Sequence, residues 1–392
     1  MINLYNGSRI GVIGTGAMGS GIAQLAATAG HQVKIYDSNP EAILRAKKNM
    51  EQSLQKFVDK GKITAKELPE ILNRIKPVNS FKDLGDSELI IEAVIENLEL
   101  KKKVFSELEK ELSRDCVMAS NTSSLSVTAI AAACQHPDRV LGIHFFNPVP
   151  IMPLAEVIPG LATTSQVLKT SRRLMDNWGK KTVVAKDTPA FIVNRVGRPF
   201  SGEAIRMLEE GIADVPTIDW AVKEIGGLKM GPFELCDFVG IDVAYFVSQI
   251  VFEQFFYDAK YRPSLTLRRM YEAGRLGRKS GQGYYLHGPD AKNPEPKKDA
   301  AIGKIIFERI LVMLINEAAE ALYLNVASRD DIDAAVVSGL SYPKGLLKWA
   351  DELGIDYVLN KIETLQAEYC EERYRPCVLL KRMKREGKTF YS

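Results

Sequence analysis

The chain has 392 residues, of which 46% are hydrophobic and 26% charged; 52 basic and 49 acidic residues leave a formal net charge of +3. That length holds two or three domains at ~100–200 residues each, with the composition of a soluble globular protein. The near-balance of charge gives no support to nucleic-acid binding but leaves room for a local basic site facing a phosphorylated ligand.

In chain order, Arg9–Ile13 reads as a short buried strand. Gly14-Thr-Gly16-Ala17-Met18-Gly19 follows, then a helix over about 20–30, then a strand over Val33–Tyr36 that ends at Asp37. This is a βαβ unit with its glycine turn between strand and helix. Residues 40–76 differ: Glu41–Lys60 and Thr64–Ile75 are charged, amphipathic and helical in spacing, and predict a helical hairpin inserted into the frame. Strands resume at Glu88–Val94, Val117–Ser120, Val140–Phe145, Glu156–Ile158 and Thr182–Ala185. Thr188-Pro189 reads as a helix start, with a capping side chain and proline in the first helical position. From there the pattern is mainly helical, which places a domain boundary near residue 187.

Residues 288–299 have linker composition. They separate two similar segments. Glu203-Ala204 matches Glu317-Ala318, Ile218-Asp219 matches Ile332-Asp333, Gly231 matches Gly345, Asp237 matches Asp351 and Gly240 matches Gly354, each 114 positions apart. Arg262-Pro263 and Arg375-Pro376 match at 113. A nearly fixed offset predicts a duplicated helical domain. The expected division is therefore 1–187 with the hairpin 40–76, a helical domain 188–287, the linker 288–299, and a second, degenerate helical domain 300–392.

No apolar run of ~18 residues suggests a membrane span, and residues 1–13 lack the pattern of a signal peptide. Cys116, Cys134, Cys236, Cys370 and Cys377 are odd in number, scattered and never spaced as CxxC. Free thiols in a reducing cytoplasm are the simplest reading, and no metal site is expected.

The glycines carry the first functional signal. In a dinucleotide fold the first permits a tight turn, the second lets backbone approach a pyrophosphate and the third lets helix pack on strand. Asp37 stands 21 positions after Gly16, where a carboxylate can accept hydrogen bonds from an adenosine ribose and repel a 2′-phosphate. This favours NAD over NADP; the alternative role for Asp37 is capping the following turn. His144 lies at the C-terminal end of a predicted parallel strand, where ligands of open α/β sheets gather. Glu156 follows 12 residues later, beyond the proline-rich turn Pro148–Pro153. A turn there can return the chain so that the carboxylate orients the imidazole and stabilises its cation.

At these residues the chain resembles the 3-hydroxyacyl-CoA dehydrogenase family. The resemblance rests on Gly14–Gly19, Glu92–Asn97, Ser120–Leu125, His144–Pro150, Asp187–Arg195, Met230–Leu235 and Gly277–Gly283. It implies an α/β Rossmann domain followed by two all-α, duplicated, 6-phosphogluconate-dehydrogenase-like C-terminal domains. It also implies oxidation of an L-3-hydroxyacyl-CoA to the 3-ketoacyl-CoA with NAD. His144 would then be the base, Glu156 its partner, and Ser123 and Asn194 would hold the reacting oxygens. Glu96, Lys101, Ser123, Asn147 and Lys279 would line the NAD site with Gly14, Gly16, Ala17, Met18, Gly19 and Asp37. Ser53 and Lys60, seven apart on one helix face, would meet the CoA. Read without the resemblance, Lys101-Lys-Lys103 is a solvated helix face and Asn194 an ordinary helix-surface asparagine.

The second helical copy is the departure from the short members of the family. Glu308 replaces the catalytic Asn194 at the 114 offset, so the copy is expected to be a structural partner packed on the first through a pseudo-two-fold contact. Competing readings are a related dehydrogenase of a sugar acid and a non-catalytic NAD-binding protein. Phe145-Phe146 and the basic hairpin argue for the acyl-CoA.

Overall fold

The structure, a computed structural model, describes residue 2 and residues 4–391. The chain divides into two compact units between Phe191 and Ile192.

The first unit is built on one sheet of eight strands: β1 Ile10–Ile13, β2 Val33–Tyr36, β3 Ile75–Pro77, β4 Leu89–Glu92, β5 Val117–Ser120, β6 Val140–Phe145, β7 Leu154–Pro159 and β8 Lys181–Val184. Their order is β3-β2-β1-β4-β5-β6-β7-β8. The first six run parallel in the 3-2-1-4-5-6 order of a Rossmann sheet. β7 then runs antiparallel to β6, and β8 lies parallel to β7. Helices α1 Ala17–Thr28, α2 Pro40–Asp59, α3 Glu67–Asn73, α4 Leu98–Glu109, α5 Val127–Ala131 and α6 Ser165–Asn177 connect the strands. Strands buried on both faces, such as Leu89-Ile-Ile-Glu92, read as apolar runs because helices cover each side.

The hairpin is α2 and α3, and α2 starts as its sequence dictates: the Asn39 side chain accepts from the Glu41 amide and Pro40 occupies the first helical turn. Its second helix ends earlier than expected. Ile75 is not its last turn but the start of β3, an edge strand paired with β2. The Thr188-Pro189 start also fails. Ala190 and Phe191 take positive φ of 64° and 48°, which no helix accommodates, and the helix begins at Val193 instead.

The second unit is all-helical. It comprises α7 Val193–Val196, α8 Arg198–Glu209, α9 Val215–Trp220, α10 Pro232–Val239, α11 Ile241–Gln254 and α12 Leu265–Glu272, then, beyond 288–299, α13 Ala300–Tyr323, α14 Arg329–Gly339, α15 Leu346–Leu353, α16 Ile355–Tyr369 and α17 Val378–Glu386. The α13 helix is apolar on most of its surface and buries Ile306, Ile310, Leu314 and Ile315.

Matching positions make matching bonds. Asp219 accepts from the amides of Phe233 and Glu234 at the start of α10; Asp333 accepts from Leu347 and Lys348 at the start of α15. Each tie leaves no room for a side chain nearby: a Cβ on Gly231 or Gly345 would lie 2.3 or 2.1 Å from the respective carboxyl carbon. Asp237 accepts from Tyr284 and Tyr285, and Asp351 from Phe390 and Tyr391. Between the two halves the ion pairs are reciprocal. Arg195 meets Glu317, and Arg309 meets Glu203. Tyr261 donates to Glu317 and Tyr374 to Glu203.

Candidate active site

The sheet reverses its winding between β1 and β4, which are neighbours although not consecutive. Ligands of such sheets bind at the carboxyl ends of the strands at that point. Gly14 ends β1 with φ +85°, and a Cβ on it would lie 2.6 Å from the Ala93 carbonyl at the end of β4. A Cβ on Gly19 would fall 1.8 Å from the Gly14 carbonyl, so α1 can seat on the strand only as glycine there. Around Gly16 the opposite holds: a Cβ would meet nothing within 4 Å. The turn is thus closed towards the protein at Gly14 and Gly19 and open at Gly16, where the α1 amides of Ala17, Met18 and Gly19 begin. This cradle fits a pyrophosphate at a helix N-terminus.

Asp37, at the end of β2, accepts from the Thr15 amide at 2.7 Å and its hydroxyl at 2.9 Å. Its other oxygen accepts from the Asn39 amide at 3.0 Å. The carboxylate therefore braces the glycine turn as well as standing beside it, and a turn-capping role is real.

Behind β4 lies a group that sequence reasoning missed. The Glu92 carboxylate, fully buried, accepts from Lys101 Nζ at 2.6 Å, Ser120 Oγ at 2.7 Å and the Val94 amide at 2.7 Å. Lys101 is only 1% exposed and reaches Glu96 at 3.4 Å as well. The solvated-face reading of Lys101 is wrong. α4 packs inward, and an ammonium can stay there because carboxylates surround it. Its burial in a helix with neighbours Lys102 and Lys103 left no signal beyond the glutamates of Glu92–Glu96.

Glu96 gathers the Ser120–Leu125 loop. One of its oxygens accepts from Thr122 Oγ1 at 2.6 Å, the Ser123 amide at 2.9 Å, Ser123 Oγ at 3.3 Å, the Ser124 amide at 3.1 Å and Ser124 Oγ at 3.1 Å. Although burial opposes its ionisation, Lys101 and these donors hold its carboxyl below the usual range. Ser123 thereby gets a fixed place at the end of β5.

His144 stands one residue before the end of β6, directly opposite Glu156 on β7 in the antiparallel register. Nδ1 lies 2.6 Å from Glu156 Oε2, and both residues are buried. An ionised carboxylate in this place accepts from Nδ1, and in the neutral imidazole that leaves Nε2 without a hydrogen. Phe146 and Phe191 lie against the imidazole, with ring centroids 4.5 and 5.8 Å away. The turn between the two strands is gripped from beneath. Lys180 Nζ donates to the Val149 and Met152 carbonyls, each at 2.6 Å, and burial without an anion pushes its ammonium down to about 8. Asn121 fixes the end of β6 by accepting from the Phe145 amide at 2.9 Å. Neither residue was singled out from sequence.

Asn147 is exposed at the mouth of this turn. Ser53 is half-buried on α2, and Lys60 is the exposed residue that ends it. Asn194 and Lys279 belong to the helical unit. Asn194 is half-buried in α7, and Lys279 Nζ pairs with Asp242 at 2.5 Å. Among the described residues no group of three or more His, Cys, Asp or Glu side chains is placed to hold a metal ion, and no single helix is long and apolar enough to cross a membrane.

The sequence model of the 3-hydroxyacyl-CoA dehydrogenase NAD-binding domain matches residues 9–188, and that of the C-terminal domain of the same enzymes matches residues 191–287 and 305–390. The chain belongs to the 3-hydroxyacyl-CoA dehydrogenase family. The 3-hydroxyadipyl-CoA dehydrogenase of Escherichia coli strain K12 is 36% identical, over 96% of this chain and 98% of that protein. The 3-hydroxybutyryl-CoA dehydrogenase of Bradyrhizobium diazoefficiens is 41% identical, over 71% of this chain and 94% of its own. The crystal structure of a 3-hydroxybutyryl-CoA dehydrogenase from Escherichia coli K12 superposes with a TM-score of 0.91 at 36% identity, over 96% of this chain and 98% of that one. As a 3-hydroxyacyl-CoA dehydrogenase the chain is an oxidoreductase that uses NAD, and the open glycine cradle fits that cofactor.

Proposed function

We propose that this dehydrogenase oxidises the C3 hydroxyl of an L-3-hydroxyacyl-CoA through the His144–Glu156 pair, and runs the step in reverse on the 3-ketoacyl-CoA. The observation that supports the reading is the buried 2.6 Å contact between His144 Nδ1 and Glu156 Oε2, which orients the ring by its Nδ1 edge. His144 Nε2 takes the hydroxyl proton, and Glu156 stabilises the imidazolium that results. NAD held at the glycine turn would supply the acceptor for the hydride that leaves C3. The Phe146 and Phe191 rings keep water from the imidazole. Ser123, fixed by Glu96, and Asn194 hold the reacting oxygen. Gly14, Gly16, Ala17, Met18, Gly19, Asp37, Glu96, Lys101, Asn147 and Lys279 form the NAD site. Ser53 and Lys60 on α2 meet the CoA, where the Lys60 ammonium opposes phosphate charge.

The helical unit, on the same reading, is a duplicated 6-phosphogluconate-dehydrogenase-like domain whose second copy, 300–392, takes the place a partner subunit would occupy. The reciprocal pairs Arg195–Glu317 and Arg309–Glu203 support it, because an isologous contact uses the same patch twice. The five unbridged cysteines suit a cytoplasmic enzyme.

The deciding experiment compares NADH formation on 3-hydroxybutyryl-CoA, on free 3-hydroxybutyrate and on a sugar acid. Turnover confined to the thioester is expected. Preference for a free acid would overturn the substrate reading.

A further inference from the structure

The charges beside the glycine turn do not balance. Lys101 Nζ meets Glu92 at 2.6 Å and Glu96 at 3.4 Å, so one ammonium serves two carboxylates. Among the described residues neither glutamate pairs with another cation. Their remaining bonds come from neutral donors: the Val94 amide and the Ser120 hydroxyl on Glu92, and amides and hydroxyls of residues 122–124 on Glu96. Such donors stabilise an anion without cancelling its charge. Two carboxylates and one ammonium leave the cluster with a net charge of −1. An ion pair built only to keep Lys101 in the core needs one carboxylate, and with Glu92 fully buried a second is costly unless a cation recovers the cost.

The fold sets that charge on the path of the cofactor. A Cβ on Gly14 would lie 2.9 Å from the Val94 amide nitrogen, and the same nitrogen donates to Glu92 at 2.7 Å, so the cluster adjoins the pyrophosphate cradle. From there the strand order runs β1-β4-β5-β6. Glu92 ends β4, Ser120 ends β5, and Asn121 just beyond it accepts from the Phe145 amide, next to His144. Asp37 ends β2, on the other side of β1, and marks the adenosine half of a dinucleotide. The other half must cross β4 and β5 to bring a hydride acceptor to the carbon whose hydroxyl His144 deprotonates. That half ends in the nicotinamide ring, which is a cation in NAD+ and neutral in NADH.

We propose that Glu92 supplies the excess negative charge by which this cluster discriminates between the two forms of the cofactor, holding NAD+ in preference to NADH. Glu92 does this by its charge and not by contact. Hydride transfer neutralises the ring, so the cluster loses its cationic partner at that step and the reduced cofactor leaves more readily. The inference rests on the NAD site proposed above.

The test measures Kd by calorimetry for NAD+, for NADH and for ADP-ribose, which lacks the nicotinamide. Glu92→Gln keeps the shape of the side chain and removes its charge. It is expected to raise the ratio of the NAD+ Kd to the NADH Kd roughly 3- to 20-fold, the scale of one unit charge acting in a partly buried site, and to leave ADP-ribose little changed. Glu92→Asp, which keeps the charge but shortens the reach to Lys101, should hold the wild-type ratio even where all three ligands weaken. If Glu92→Gln does not fold, Glu96→Gln removes the same unit of charge and should move the ratio in the same direction. An unchanged ratio in whichever Gln variant folds, or the same shift of ratio in Glu92→Asp, would overturn the electrostatic role while the NAD site stands. An Asp37→Ala protein that binds ADP-ribose as tightly as wild type would instead overturn the site itself.

Discussion

Arg195 meets Glu317 at 2.7 Å, and 114 positions along from each the same two residue types meet again with the halves exchanged, Arg309 with Glu203 at 2.9 Å. Both pairs are buried, and each glutamate also accepts a tyrosine hydroxyl. The ions are expensive to bury and do not stabilise the fold much as pairs, but removing Glu317 strands Arg195, whereas removing Arg195 leaves Glu317 a second cation in Lys260. Glu317→Gln, which leaves Arg195 without its carboxylate, is therefore expected to destabilise the protein by about 3–5 kcal/mol, and Arg195→Met by less, because Lys260 still meets Glu317 at 2.8 Å. The double variant should recover much of that, and a double-mutant cycle in urea reads the coupling. Deleting 300–392 strands Arg195 and Glu203 together. On the proposed duplication the truncated chain dimerises or loses solubility; a monomeric, soluble truncation in sedimentation would count against it.

His144→Gln should lower kcat by roughly 10²–10⁴ while NADH binding, followed by fluorescence, stays nearly intact, because a general base contributes about that factor. Glu156→Gln should lower kcat less and leave the fold, since the amide can still accept from Nδ1 but cannot stabilise an imidazolium. A His144→Gln enzyme that kept more than about a tenth of the wild-type kcat would rule out the base assignment.

Asp37→Ala should weaken NADH binding and narrow the margin over NADPH. Because Asp37 also accepts from Thr15 and Asn39, a loss of turn order is expected alongside. Asp37→Asn loses the charge but keeps one acceptor oxygen, enough for the Thr15 bonds and not for the Asn39 amide as well. Wild-type kcat/KM values equal for the two cofactors would exclude the role.

Lys60→Ala should raise KM for the CoA substrate and not for the matching N-acetylcysteamine thioester, which lacks the nucleotide. A change of equal size on both would remove Lys60 from the CoA site.

Lys180 gives a pH dependence with a definite sign. Its folded ammonium is lowered from 10.5 to about 8, so between those values the unfolded chain binds more protons than the folded one. Stability contributed by this site therefore rises with pH from about 8 towards 10.5. Urea unfolding at pH 7, 8, 9 and 10 should show the stability of wild type relative to Lys180→Met increasing over that window. A difference that is flat with pH would mean that the ammonium titrates normally.

Local chemistry made much of the fold legible. β2, β5 and β6 are bounded in the structure as the sequence implies, because apolar runs flanked by turns leave one option for strands buried on both faces. The proline-rich turn does bring Glu156 beside His144. What failed is where long-range contacts outweigh local pattern. Ile75–Pro77 contains one buried residue and continues a helical pattern, so only its pairing with β2 makes it a strand. Thr188-Pro189 carries a good helix start, yet the next two residues take left-handed backbone. Lys101 has two lysine neighbours and looks solvated; its burial depends on Glu92, which reaches it from a neighbouring strand. Lys180 is invisible for the same reason, since a buried cation differs from a surface one only in what surrounds it.

The His144–Glu156 contact is a cross-strand pair at the one antiparallel step among the sheet's neighbours, and this bears on which changes of length the chain can absorb. Side chains alternate faces along a strand, so one residue inserted within Val140–Phe145 ahead of His144, or within Leu154–Pro159 ahead of Glu156, would turn the two groups to opposite sides unless a bulge absorbed it. Lengthening the 146–153 turn leaves the register alone, and Lys180 would only need new carbonyls to hold. Variation in length should therefore collect in that turn and be absent from the two strands. A library of single-residue insertions across 140–159, selected for turnover, would map the difference directly.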